Sequence, residues 1–204
     1  MAFVNFEKKE INFKVVYYGP PLGGKTTNLV HLHEVIPQDS KGKLTILSTQ
    51  QDRTLYFDFL PLKSEAIQGF VSRFQLFTVP GQPIYEKTRR IVLTAADGIV
   101  FVADSQWSKM PENAESFQDL KDNLEYNGLH LDTIPYLIQL NKRDLEDIAP
   151  IDYMDFMFNH ERVKAACIET VATEGKGVGD SLNLISRMVM AKFIEEHEMN
   201  AATA

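Results

Sequence analysis

Two short stretches carry chemistry in their residue types and spacing. GPPLGGKT, Gly19 to Thr26, fills the pattern G-x-x-x-x-G-K-[ST] at every place. Gly19 and Gly24 let the main chain wrap closely around phosphate oxygens, and successive N–H groups in such a loop form an anion-binding nest. A helix starting directly afterwards adds its positive N-terminal end. Lys25 supplies a point charge for β- and γ-phosphates, and the Thr26 hydroxyl can ligate Mg²⁺. The pattern points to a nucleoside triphosphate and leaves the base open.

The base is read from NKRD, Asn141 to Asp144, at the end of the apolar run YLIQL. The Asp144 carboxylate accepts two hydrogen bonds, which suits the N1–H and exocyclic amine of guanine. Adenine presents a donor and a bare acceptor there, and each buried polar group left unpaired costs about 1–3 kcal/mol. Asn141 is placed to tie this loop to the phosphate loop, and the Lys142 stem can lie along the base plane. A position beyond the C-terminal end of a strand is where open α/β sheets bind ligands.

Such loops need strands to carry them. Short apolar runs alternate with segments of helical period, which predicts an α/β fold with a mostly parallel central sheet and helices on both faces. Strands are expected at residues 12–18, 44–48, 98–103, 134–140 and 165–170. Residues 55–60 and 70–79 alternate apolar and polar positions and are expected to form an antiparallel, half-exposed pair at a sheet edge. Helices are expected at residues 25–35, 111–127 and 178–196. In the last, Leu182, Ile185, Val189 and Phe193 make one apolar face, which predicts core packing. A single domain over residues 1–197 with a frayed tail over 198–204 follows.

Composition narrows the partners. A net charge of −7 without a basic run argues against nucleic acid. Cys167 is the one cysteine, so no intramolecular disulfide is available, which fits a reducing cytosol and a small buried side chain. The opening MAFVNFEKKEINFK has no signal-peptide core. With no apolar run long enough for a bilayer, no prenylation cysteine and Ala2 after the initiator, no direct membrane anchor is expected. His31 and His33 sit two apart on a helix and should point to different faces, as solvated residues. Asp97 and Asp104 are expected in capping or solvated roles. Trp107 fits core or interface equally.

Beyond these two loops, RTLYFDFLP, TVPGQ, DGIVFVADSQ and ETVATEGKGV complete a resemblance to the small Ras-like GTPases, and within them to the bacterial MglA group. It spans nearly the whole chain and implies a P-loop NTPase of the Ras-like type that cycles between GTP and GDP with Mg²⁺. Phosphate contacts would come from Gly19, Leu22, Gly23, Gly24, Lys25, Thr26 and Thr27. Thr54 resembles the switch I threonine that joins Thr26 at the metal. Gly81 would donate its N–H to the γ-phosphate, Gln82 would orient the attacking water, and Arg53 looks like a built-in arginine that neutralises transition-state charge. Switch I falls near residues 50–60 and switch II near 78–90. Val171, Ala172 and Thr173 align with the family's Ser-Ala-Lys loop, in which the alanine N–H reads guanine O6. Implied partners are a roadblock-type GTPase-activating protein and polarity or motility effectors, with a cytoplasmic location and recruitment to a cell pole through them.

Two residues depart from the wider pattern. Thr78 stands where an aspartate normally holds Mg²⁺ through water, although the MglA group ordinarily has threonine there. Pro21 stands where glycine is usual, and its ring should crowd the space near Gln82 while removing one N–H. Binding is therefore expected to tolerate Pro21 better than hydrolysis does. A chain that binds guanine nucleotide and scarcely hydrolyses it is the alternative; an adenine-specific kinase conflicts with NKRD.

Overall fold

The computed structural model describes residues 2–46, 57–58, 64–67, 69–159 and 164–202. The described residues form the strands β1 (Phe3–Asn5), β2 (Glu10–Tyr18), β3 (Thr45–Ile46), β4 (Phe57–Asp58), β5 (Ser64–Ile67), β6 (Phe70–Thr78), β7 (Gly98–Asp104), β8 (Tyr136–Asn141) and β9 (Ala166–Glu169). The α-helices are α1 (Lys25–Val35), α2 (Glu86–Leu93), α3 (Met110–Tyr126), α4 (Ile151–Phe158) and α5 (Val178–Ala202).

The main sheet runs β5-β6-β2-β7-β8-β9, and all of its pairings from β6 to β9 are parallel. Period-two alternation sorts its side chains between two cores. Ile11, Phe13, Val15 and Tyr17 of β2 join Leu29 and Leu32 of α1 and Leu182, Ile185 and Val189 of α5 on one face. Val16 and Tyr18 join residues of α2, α3 and α4 on the other, among them Leu93, Phe117, Leu120 and Phe158. Each such side chain contributes about 1.5–3 kcal/mol by leaving water. The expected apolar face of α5 is buried, and Phe193 packs edge-on against Phe13 at 5.5 Å between centroids.

Alternation alone did not identify strand partners correctly. β4 pairs with β3, not with β6. The antiparallel partner of β6 is β5, reached through a reversal with Gly69 at φ +85°, and β6 lies inside the sheet beside β2. Three further elements lay outside the expected set: β1, which pairs antiparallel with β2, and the eight-residue helices α2 and α4. Cys167 is half-buried rather than fully buried, with its sulfur 3.4 Å from Asp155 Oδ1. No helix among the described residues is long and apolar enough to cross a membrane.

A parallel sheet places all its strand exits on one edge. The loops after Tyr18, Thr78, Asp104, Asn141 and Glu169 therefore leave from the same side.

Candidate functional site

β2 ends at Tyr18, and the chain turns at once. Gly19 has φ +141°, and a Cβ there would lie 2.3 Å from the Val102 carbonyl oxygen. Gly24 has φ +104°, and its Cβ would lie 2.1 Å from Asn141 Nδ2. Both positions therefore demand glycine, for conformation and for space. Leu22 also adopts the left-handed region, at φ +58°, and its side chain is exposed. Strain of that kind in a leucine, about 1–2 kcal/mol, is typical of ligand-holding segments.

Lys25 opens α1 and is buried, with Nζ donating to the carbonyls of Gly19 at 2.8 Å and Pro20 at 2.7 Å. The ammonium thus closes the loop from inside. Thr26 and Thr27 follow in the first turn, partly exposed at the helix's positive end.

Asn141 is the knot between loops. Its Nδ2 donates to Gly23 O at 2.8 Å, while its Oδ1 accepts from Thr170 Oγ1 at 3.1 Å and Ala172 N at 3.0 Å. The Ala172 N–H, expected to face a base, is thus engaged with Asn141. Lys142 takes φ +65° and pairs with Asp104 at 2.5 Å. Asp104 is not solvated: it is 1% exposed, and its Oδ1 also accepts from Gln106 N at 3.1 Å. Asn113 holds the Asp104 main chain from both sides, donating to its carbonyl at 2.7 Å and accepting from its N–H at 3.0 Å. The capping expectation for Asp104 survives, joined by a part-buried ion pair that positions the Lys142 amino group.

These loops enclose a 210 Å³ cavity lined by Leu22, Gly24, Thr27, Asn141, Lys142, Asp144, Leu145, Ala172 and Thr173. Asp144 is exposed at its edge. Val171 is buried beneath it, donating its N–H to the Lys176 carbonyl at 3.1 Å. His31 packs at Gly175, and the His33 carbonyl accepts from Lys41 Nζ.

On the phosphate side, TVPGQ leaves β6 beside Tyr17. Gly81 rests on the phosphate loop, where a Cβ would lie 2.4 Å from Pro21 N. Thr78 is fully buried, and its hydroxyl has no partner among the described residues. An unpaired hydroxyl can bond a metal-bound water. With the Thr26 hydroxyl it makes an oxygen-only donor set of the type Mg²⁺ takes, so the residues present fit that ion. Arg53 and Thr54 lie outside the described residues.

Sequence reasoning overlooked Arg89. It is buried, and its Nη1 donates to the Gln82 carbonyl at 2.5 Å while its Nε pairs with Asp119 at 2.8 Å. The signal was present: Arg89 stands three and four residues before the buried Val92 and Leu93 and shares their face, whereas Arg90 is spaced to Leu93 alone.

Comparison with known proteins bears on the same loops. A sequence model of the ADP-ribosylation factor family matches residues 2–189. The "Mutual gliding-motility protein MglA" of Myxococcus xanthus (strain DK1622) is 46% identical over 192 residues, covering 94% of this chain and 97% of that protein. The "Small COPII coat GTPase SAR1" of Giardia intestinalis is 28% identical over 155 residues, or 76% of this chain and 69% of that one.

Proposed function

The chain belongs to the ADP-ribosylation factor family of small GTPases as a homologue of MglA, and from that premise we propose that it is a switch that hydrolyses GTP to GDP. One observation carries the reading. A single cavity collects the phosphate loop, NKRD and the Ala172–Thr173 turn, all tied together through Asn141.

In this reading the N–H groups from Leu22 to Thr27 hold the phosphates, with Lys25 released toward the β- and γ-oxygens from the loop carbonyls it now bonds. Asp144 accepts from guanine N1–H and N2–H. Lys142, anchored by Asp104, lays its stem on the ring. The Ala172 N–H shares its hydrogen between Asn141 and guanine O6. Thr26 and Thr54 would hold Mg²⁺, which would supply charge neutralisation for the phosphates. Gly81 senses the γ-phosphate, Gln82 orients water, and Arg53 offsets the charge that develops on the transferring group. One domain over residues 1–197 carries all of this.

Hydrolysis is slow without help, and a roadblock-type activating protein accelerates it. The GTP form binds effectors for polarity or gliding motility from the cytoplasm, consistent with the name of the Myxococcus relative. Gly81 lying against Pro21 favours a second reading, a guanine-nucleotide scaffold with little turnover.

Multiple-turnover GTP hydrolysis, with and without a roadblock partner, separates the two. Turnover that rises with the partner supports the switch; retention of GDP with no turnover under either condition supports the scaffold. Preferential retention of adenine nucleotide would overturn both.

A further inference from the structure

We infer that Arg89 is a positioning residue of this site: by clamping the main chain of Pro80, Gln82 and Pro83 onto Asp119 of α3, it fixes where Gln82 stands. The catalytic part of this inference rests on the proposed role of Gln82; the positional part does not.

Segment 80–83 has little backbone means of holding itself. Pro80 and Pro83 bring no N–H, and the segment leaves the sheet at Thr78 and reaches only a three-residue 3-10 turn, Pro83–Tyr85. The Gln82 carbonyl accepts from Tyr85 N at 3.2 Å and the Pro83 carbonyl from Glu86 N, and three carbonyls of the segment also meet one guanidinium. Arg89 Nη1 donates to Gln82 O at 2.5 Å and to Pro80 O at 3.4 Å, and Nη2 to Pro83 O at 3.4 Å. Toward Asp119, Nη2 donates to Oδ1 at 3.0 Å, and Nε lies 2.8 Å from Oδ2 as an ion pair without hydrogen-bond geometry. The arginine side chain is 5% exposed, so these contacts form largely out of water. One planar cation therefore serves three carbonyls and a carboxylate at once, a geometry that an ammonium cannot copy.

Asp119 is itself fixed from the phosphate loop's strand. The Tyr18 hydroxyl donates to Asp119 Oδ2, and Asn123 Nδ2 donates to that hydroxyl at 3.0 Å. Burial, followed by the nearby Asp119 charge, raises the phenol's pKa, so it remains a donor. Tyr18 directly precedes Gly19. A continuous chain thus joins the strand before the phosphate loop, α3, α2 and the carbonyl of Gln82. Gly81, held within it, lies against Pro21.

Amide hydrogen exchange on the full chain loaded with GDP tests the positional claim. Arg89→Lys and Asp119→Asn should each speed exchange at Gly81, Gln82 and Ile84 about tenfold, or about 1.4 kcal/mol, with β7 and β8 unchanged. GDP affinity should stay within about twofold, because neither residue lines the base cavity. Single-turnover GTP hydrolysis should fall about tenfold in each variant and no further in the double variant, the non-additivity of residues acting as one unit. Exchange that is unaltered, or that rises throughout the chain, overturns the inference. Local exchange with parental hydrolysis overturns its catalytic half. If the parent itself turns over no GTP, the proposed function fails while the exchange result still decides the clamp.

Discussion

Gly81 lies against the main chain of Pro21: a Cβ on Gly81 would lie 2.4 Å from Pro21 N, 2.7 Å from Pro21 Cα and 2.8 Å from Pro20 C. No rotamer change can relieve such an overlap, so one segment must move. Gly81→Ala should therefore lower single-turnover GTP hydrolysis about 100-fold, the scale of a reacting group misplaced by about 1 Å. Because the obstructing atoms are backbone, adding Pro21→Gly should not restore the rate. Recovery in the double variant would locate the clash in the proline ring instead.

Pro21→Gly alone asks a different question. The ring is exposed and lines a 150 Å³ cavity with Gly81, Pro83 and Arg89, beside the segment that carries Gln82. Removing it frees space and restores an N–H. Hydrolysis should rise about tenfold, equal to about 1.4 kcal/mol of barrier. GDP affinity should not change, since in the proposed reading the phosphate-binding N–H groups begin at Leu22. A parental rate, measured in a single turnover, would remove ring crowding as a constraint on hydrolysis.

The two loops were legible in the sequence because their chemistry is local: glycines that need φ above zero or close approach, a lysine and a hydroxyl at fixed offsets. What depended on distant partners was not. Alternation in β4 and β6 showed two half-buried strands but could not say that β4 pairs with β3. Asp104 could be seen at the end of a buried strand, yet nothing in the pattern paired it with Lys142, 38 residues away. Arg89 and Arg90 looked alike as neighbours, and only their helical phase against Val92 and Leu93 distinguishes them. The left-handed conformation at Leu22 was hidden by its side chain, which normally disfavours it.

The Asp104–Lys142 pair can be tested at the guanine side. Asp104→Asn keeps an oxygen for the Gln106 N–H but takes the negative charge from beside the lysine amino group. Lys142 is 27% exposed in its side chain, so water compensates in part, and the loss should be about 1–3 kcal/mol. GDP should bind about tenfold more weakly by fluorescence titration, while the phosphate loop, anchored separately by Asn141, keeps its geometry. Unchanged affinity would show that Lys142 needs no anchor to lie on the base.

Asp144→Asn reverses half of the hydrogen-bond pattern offered to the base. A carboxylate accepts twice, matching the two donors of guanine; an amide accepts once and donates once, matching N1–H and the C2 carbonyl of xanthine. GDP affinity should fall about 10–100-fold, from the loss of a hydrogen bond to a charged group, and xanthosine diphosphate should become the preferred ligand. Since Asp144 sits at the cavity's exposed edge, the exchange leaves the Asn141 knot and the fold untouched. Competitive titration of the two diphosphates reads the outcome directly. A variant that loses GDP without gaining xanthosine diphosphate would mean that Asp144 acts by charge alone, and that base selection resides elsewhere in the cavity.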